Sequence, residues 1–302
     1  MSALVSLFFM LLQSVIFYFL AWYLSLVRPG QYGQALPWDF LFKAQYWSNN
    51  EVKPDADGEE EEHMTTDPRY FEPAPAHTEV GIKIVNVSKV YPKHRALRNV
   101  SLEVYKGEIT VLVGHNGAGK TTLMSIITGM TSATEGKVYV NGKDTVAQKK
   151  EVRKNLGLCP QHNLFFEDLT VQEHIMFFSL LKQGSYAEAR MSSRKLADRL
   201  ALSEKLGSLT TELSGGMKRR AQLACALAGG ADVLVLDEPT SGLDVETRRE
   251  LWDLLLSLRG ERTVLLTTHF MEEADALGDR VAALHAGVLR CFATTMHLKK
   301  AV

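Results

Sequence analysis

The sequence predicts an α/β fold, a core of mainly parallel strands alternating with helices, preceded by a single apolar helix. Three observations predict it. Residues 114–121 read GHNGAGKT between the apolar run Ile109–Val113 and a helix-prone stretch; residues 233–238 read VLVLDE, an apolar run ending in two acids; and no residue from Ala3 to Val27 is charged. A Gly-x-x-x-x-Gly-Lys-Thr loop between strand and helix is a phosphate cradle. An unbroken apolar run suits a strand buried on both faces of a parallel sheet.

In the loop, Gly114, Gly117 and Gly119 let the backbone approach a phosphate and turn N–H groups toward it, and the positive end of the next helix adds to the attraction. The cradle runs from Gly114 through His115, Asn116, Gly117, Ala118 and Gly119 to Lys120, Thr121 and Thr122. Lys120 would reach the β- and γ-phosphates of ATP, and the Thr121 hydroxyl would ligate Mg²⁺. Carboxylates at the carboxyl end of a parallel strand sit at the crevice where such sheets bind ligands. Asp237 is therefore the candidate Mg²⁺ partner and Glu238 the candidate general base for an attacking water. The plain alternative is an acid pair that opens a polar loop.

Residues 213–217 read LSGGM ahead of the helix-prone stretch Met217–Leu227. Ser214, Gly215 and Gly216 form a second helix N-terminus stripped of large side chains and open to an anion. One nucleotide has little use for two cradles in one chain. The second is therefore expected to serve an ATP held by another domain, which makes the working unit a pair.

This order of motifs, closed by TTH at 267–269, resembles the nucleotide-binding domain of ATP-binding cassette (ABC) transporters over residues 81 to about 300. The resemblance implies a P-loop NTPase cassette with a RecA-like parallel-sheet core, an antiparallel β subdomain and a helical insert at about 162–230. It implies that Gln161 of LCPQHN touches Mg²⁺ and senses the membrane domain, and that Asp244 of SGLD belongs to the D-loop. It makes His269 the switch histidine on the γ-phosphate, so that Lys120, Glu238 and His269 form the catalytic set. Tyr91, 29 residues before Lys120, takes the place of the aromatic that stacks on adenine; simple packing is its alternative. GHNGAGKTT, LGLCPQHNLFFEDLTVQEH, LSGGMKRR, DEPTSGLD and LLTTHFMEEADALGDR are similar to subfamily A, the lipid-handling branch. RPGQYGQALPWDFLFKAQYW is similar to the segment joining the last membrane helix to the cassette in that branch.

Composition agrees with this reading. A cassette of roughly 220 residues can hold its own core, and 46% hydrophobic content is ordinary for a globular domain plus one membrane segment. A net charge of −1 gives no sign of a nucleic-acid partner. Cys159, Cys225 and Cys291 are few and widely spaced, as reduced cytosolic thiols are. Cys159 and His162 have a loose metal-ligand spacing that no second pair answers.

Residues 1–28 read as a transmembrane helix, because 25 uncharged residues make about 37 Å of helix. A signal peptide would want a basic start, a shorter apolar region and a small-residue cleavage site. Arg28 and Lys43 favour a cytosolic C-terminal side, giving a single-pass membrane chain with its cassette in the cytosol. Trp22, Tyr23, Trp38, Phe40, Phe42, Tyr46 and Trp47 would gather at the inner interface, in a segment running over 29–50. Residues 51–80 carry the acidic run Glu59–Glu62 and four prolines, and read as a disordered linker.

Within the cassette, 81–302, strands are expected at 82–87, 100–104, 109–113, 137–140, 233–237, 263–267, 280–284 and 287–291. Helices are expected at 119–129, 245–258 and 270–277, with helix-like spacing at 170–182 and 187–202 in the insert. One helix cannot build a translocation path, so the chain is expected to be one cassette with the last helix of one bundle, partnered by the remaining transmembrane helices, by membrane lipid and by a second cassette. Two other readings stay open. One is a soluble cassette ATPase; the other is a regulatory subunit that pairs with a full-length transporter.

Overall fold

A computed structural model describes residues 3–27, 38, 67–73, 78–92 and 94–301 of the chain. They fall into two compact units, 1–62 and 63–302. The first holds α1 (Ala3–Val27), whose Val5–Ser25 stretch has a mean hydropathy of 2.0. Its large apolar side chains, Phe8, Met10 and Phe17 among them, are exposed. Ser14 and Ser25 donate their hydroxyls to the helix's own Met10 and Trp22 carbonyls, the internal satisfaction that an apolar surrounding demands. The expected interfacial segment, 29–50, lies outside the described residues except for Trp38.

The second unit begins with β1 (Val80–Tyr91) and β2 (His94–Tyr105), then β3 (Ile109–Val113), α2 (Lys120–Ile127), β4 (Glu135–Val140), β5 (Lys143–Asp144), α3 (Lys149–Asn155) and β6 (Leu156–Cys159). The insert follows with α4 (Val171–Gln183), α5 (Tyr186–Arg199) and α6 (Gly215–Leu227). Alternation resumes through β7 (Val233–Asp237), α7 (Val245–Leu256), β8 (Thr263–Thr268), α8 (Met271–Leu277), β9 (Arg280–His285), β10 (Val288–Thr294) and α9 (Thr295–Ala301).

Two sheets result. An antiparallel sheet runs β2-β1-β4-β5, and a six-stranded sheet runs β10-β9-β3-β8-β7-β6, parallel except for β10. Every residue of β3, β7 and β8 is buried, because successive side chains enter two different cores. Val111, Leu234, Leu236 and Leu266 face the insert helices. Leu112, Val233, Val235 and Leu265 face α2 and the antiparallel sheet. This is the cassette architecture that the motif order predicts.

The first two strands are longer than expected. Bulges near Asn86 and Asn99, both at positive φ, interrupt the period-two pattern from which the shorter ranges were read. β5, α3, β6 and α9 are too short to carry a period. In β6, moreover, a Cβ on Gly157 would lie 2.1 Å from the Ala226 carbonyl, so α6 packs directly on the strand backbone. Within the stretch read as linker, residues 67–73 pack on the sheet edge: Phe71 bridges Phe292, Glu72 N donates to Phe292 O, and the Glu72 carboxylate takes Thr294 N and lies 3.5 Å from Arg280. In α4, Thr170 and Glu173 form a reciprocal capping box.

Candidate functional site

The loop from Gly114 to Gly119 leaves the carboxyl end of β3 and enters α2. Its path is set by close packing: a Cβ on Gly114 would lie 2.4 Å from the Leu284 carbonyl, and Gly119, at φ +103, would bring one to 2.7 Å from Ala96 O. Gly119 caps α2 without any side-chain hydrogen bond, so the first N–H groups of the helix are left for a ligand. A cavity of about 380 Å³ opens there, within the size range of small-molecule sites. His115, Asn116, Gly117, Gly119, Lys120, Thr121 and Thr122 of the loop and helix start line it together with Gln161, Glu238, His94 and Ala96. Gly114 and Ala118 belong to the loop without lining the cavity.

Lys120 is 6% exposed and its ammonium donates to the Gly114 and His115 carbonyls, holding the loop closed on itself. Across the cavity, Gln161 Nε2 donates to Glu238 Oε2 at 3.1 Å, and His269 Nδ1 lies 3.4 Å from Glu238 Oε1. Glu238 has φ +44, a left-handed conformation that costs a bulky residue about 1–3 kcal/mol. Its N–H is tied to the Thr267 hydroxyl at 2.9 Å, and that hydroxyl donates to Asp237 Oδ1 at 2.6 Å. Asp237 is buried at the strand end with this neutral partner. The Thr121 hydroxyl and the Gln161 amide on the cavity lining, with the Asp237 carboxylate just behind it, offer hard oxygen donors of the kind that suit Mg²⁺.

The remaining predicted residues lie elsewhere. Tyr91 is outside the cavity lining but stacks on His94, which is part of it, with ring centroids 5.4 Å apart. Ser214 caps α6 by accepting from Met217 N, and Gly215 would meet nothing within 4 Å if it carried a Cβ. Asp244 caps α7, accepting from Thr247 N at 3.0 Å. None of Ser214, Gly215, Gly216 and Asp244 lines the Lys120 cavity. Thr267 and Arg219 were not legible as site residues. Thr267 stands inside the TTH motif and acts through contacts 29 and 30 residues away, and the buried Arg219 reads as one more cation in KRR.

A second, apolar cavity of about 730 Å³ includes Leu158, Leu164, Phe165, Phe178 and Leu181. Lys182 lines it as a half-buried cation donating to the Ala226 and Ala228 carbonyls. Burial pulls its ammonium down to about 8. Burial likewise pushes the Cys159 and Cys225 thiols up, to about 11 and about 12, so both behave as core residues.

A family model described as ABC transporter matches residues 97–241. The chain is 44% identical over 299 residues to the Rattus norvegicus phospholipid-transporting ATPase ABCA3, covering 96% of this chain and 17% of that protein. It is 41% identical over 314 residues to the Homo sapiens retinal-specific phospholipid-transporting ATPase ABCA4, covering 99% and 14%. The chain thus spans less than a fifth of the length of these relatives. Among solved structures, an ATP-binding subunit of an ABC transporter superposes with a TM-score of 0.67 at 26% identity, over 74% of this chain and 92% of that one. A dimeric ATP-binding cassette in a post-hydrolysis state bound to ADP and Pi does so with a TM-score of 0.64 at 28% identity, over 70% and 98%. The family match and the fold agree: the chain carries an ABC transporter domain, folded as the ATP-binding cassette that works as an ATPase.

Proposed function

We propose that this cassette hydrolyses ATP with Glu238 as general base and that it powers a phospholipid transporter of subfamily A. The observation that carries the first part is the Glu238 carboxylate, held at the end of β7 between Gln161 and His269 and facing the loop that Lys120 anchors. A water in the cavity would give its proton to Glu238 as it attacks the γ-phosphate. Lys120 would swing from the Gly114 and His115 carbonyls to the phosphate oxygens, and the His269 imidazole would hold the charge that develops on them. Thr121, Gln161 and Asp237 would hold Mg²⁺, which supplies charge neutralisation across the β- and γ-phosphates. Tyr91, stacked on the cavity-lining His94, would take the adenine face.

The α6 N-terminus, Ser214 to Gly216, lies outside the Lys120 cavity and is sterically open at Gly215. We read it as the cradle for an ATP held by a partner cassette, with Asp244 on the same face of contact. The dimeric state of a related cassette supports that reading. Closure would pass through the 161–166 loop to membrane helices, and the apolar cavity that Leu164 and Phe165 help to form offers a docking place for them. The length and hydropathy of α1 support a membrane span ahead of a cytosolic cassette. The names of the relatives support a phospholipid substrate.

Glu238→Gln tests the chemistry. It should bind ATP as the wild type does and lose at least about 10²-fold in turnover, the low end for removal of a general base. Turnover close to wild type in that variant would contradict the assignment.

A further inference from the structure

Arg219 lies on α6, one turn beyond Gly215, and is 4% exposed. A buried guanidinium ordinarily answers a carboxylate. This one is surrounded by neutral acceptors. Nε donates to Pro239 O at 2.5 Å; one terminal nitrogen to Pro160 O at 2.7 Å, Gln161 O at 3.1 Å and Gln222 Oε1 at 2.8 Å; the other to Asp237 O at 3.0 Å and Glu238 O at 2.8 Å. Gln222, one turn further along α6, donates to His162 O at 2.9 Å. One side chain therefore clamps two segments far apart in sequence, 160–161 and 237–239, which carry the Gln161 and Glu238 side chains that meet across the cavity.

The planar fork matters here. Its five N–H groups leave in fixed directions and match carbonyls on both sides at once, which a single ammonium cannot do. The clamp also grips the carbonyl of Glu238, the residue with left-handed backbone, whose N–H is held by Thr267. We propose that Arg219 is a positioning residue of the ATPase site: it holds the Gln161 and Glu238 backbones in the register at which Glu238 can act as base. The proposal rests on the role given to Glu238 above.

Arg219→Lys keeps the charge and removes the fork. In the full chain it should lower kcat by about 10- to 10²-fold, the scale of an ångström-sized misplacement at a reacting centre. The ATP concentration for half-maximal rate, and binding of a fluorescent ATP analogue, should stay within about threefold of wild type, because Arg219 touches no residue of the phosphate loop. Combined with Glu238→Gln it should cost less than about threefold more, since a residue that acts through Glu238 has nothing left to position. A wild-type kcat in Arg219→Lys would overturn the proposal. So would a full multiplicative loss in the Glu238→Gln background, the mark of a merely structural role. If Arg219→Lys fails to bind the analogue, Gln222→Met carries the same test with the same expected pattern, and its wild-type kcat would overturn the proposal. Glu238→Gln alone with near-normal turnover would instead count against Glu238 as base.

Discussion

Glu238 shows how much of this site lies in local pattern and how much does not. An apolar run ending in Asp-Glu, downstream of a glycine-rich loop, is enough to bring Glu238, Lys120 and Thr121 to one cavity, because strand ends and helix starts converge at the carboxyl end of a parallel sheet, while Asp237 stays outside the lining and reaches Glu238 through Thr267. The left-handed backbone at Glu238, the Thr267 hydroxyl that ties it to Asp237 and the Arg219 clamp were not legible. Each depends on partners 18 to 59 residues apart. The adenine role of Tyr91 rests on family resemblance alone; its ring lies outside the cavity lining and stacks on His94, which is part of it. Tyr91→Ala should weaken nucleotide binding by about 1–3 kcal/mol, the worth of an aromatic–base stack, and leave turnover at saturating ATP nearly intact. Tyr91→Phe should be almost silent in the same titration, because the ring face is used. A large loss in the Phe variant would point to the hydroxyl and against stacking.

Among the elements, the buried strands and most helices, the short α8 included, followed from the sequence, whereas β5, α3, β6 and α9 did not. β6 is four residues long and has no alternation to read, since its Gly157 meets α6 and its Cys159 lies in the core. The loop between β6 and α4 is fixed by His174, which is buried: Nε2 accepts from Phe166 N at 2.9 Å, Nδ1 bonds Thr170 O at 2.9 Å, and the Phe165 and Phe166 rings flank it. Burial holds the imidazole below its usual 6.5, against the pull of Thr170 O and Glu173. The unfolded chain therefore binds more protons than the folded one below about pH 6.5. The contribution of neutral His174 is complete above that value and is lost as pH falls toward the folded one. The melting temperature should accordingly drop more between about pH 7.5 and 5.5 in the wild type than in His174→Gln, which cannot titrate in that window. Equal pH dependence in the two proteins would contradict this role.

For the whole molecule, the order of the motifs carried the architecture: two sheets, an insert and a phosphate loop at the carboxyl end of the interior strand β3. What the order could not carry was the docking of residues 67–73 beside β10, because Phe71, Glu72 and Arg280 are a tertiary match with no local signature. The central claim at this scale is that the Lys120 cavity and the α6 N-terminus of one chain serve different nucleotides. Mixing two inactive variants of the full chain tests it most directly. Lys120→Ala lacks a working phosphate loop. Gly215→Asp fits the chain sterically, since a Cβ there meets nothing, yet it sets a carboxylate where a partner's γ-phosphate would dock, a repulsion strengthened in a dry interface. Each variant alone should be inactive. In a mixed pair one interface joins both defects and the other joins an intact loop to an intact LSGGM, so the mixture should recover part of the wild-type ATPase rate. A mixture in which cross-linking demonstrates mixed pairs and which still hydrolyses no ATP would contradict the account.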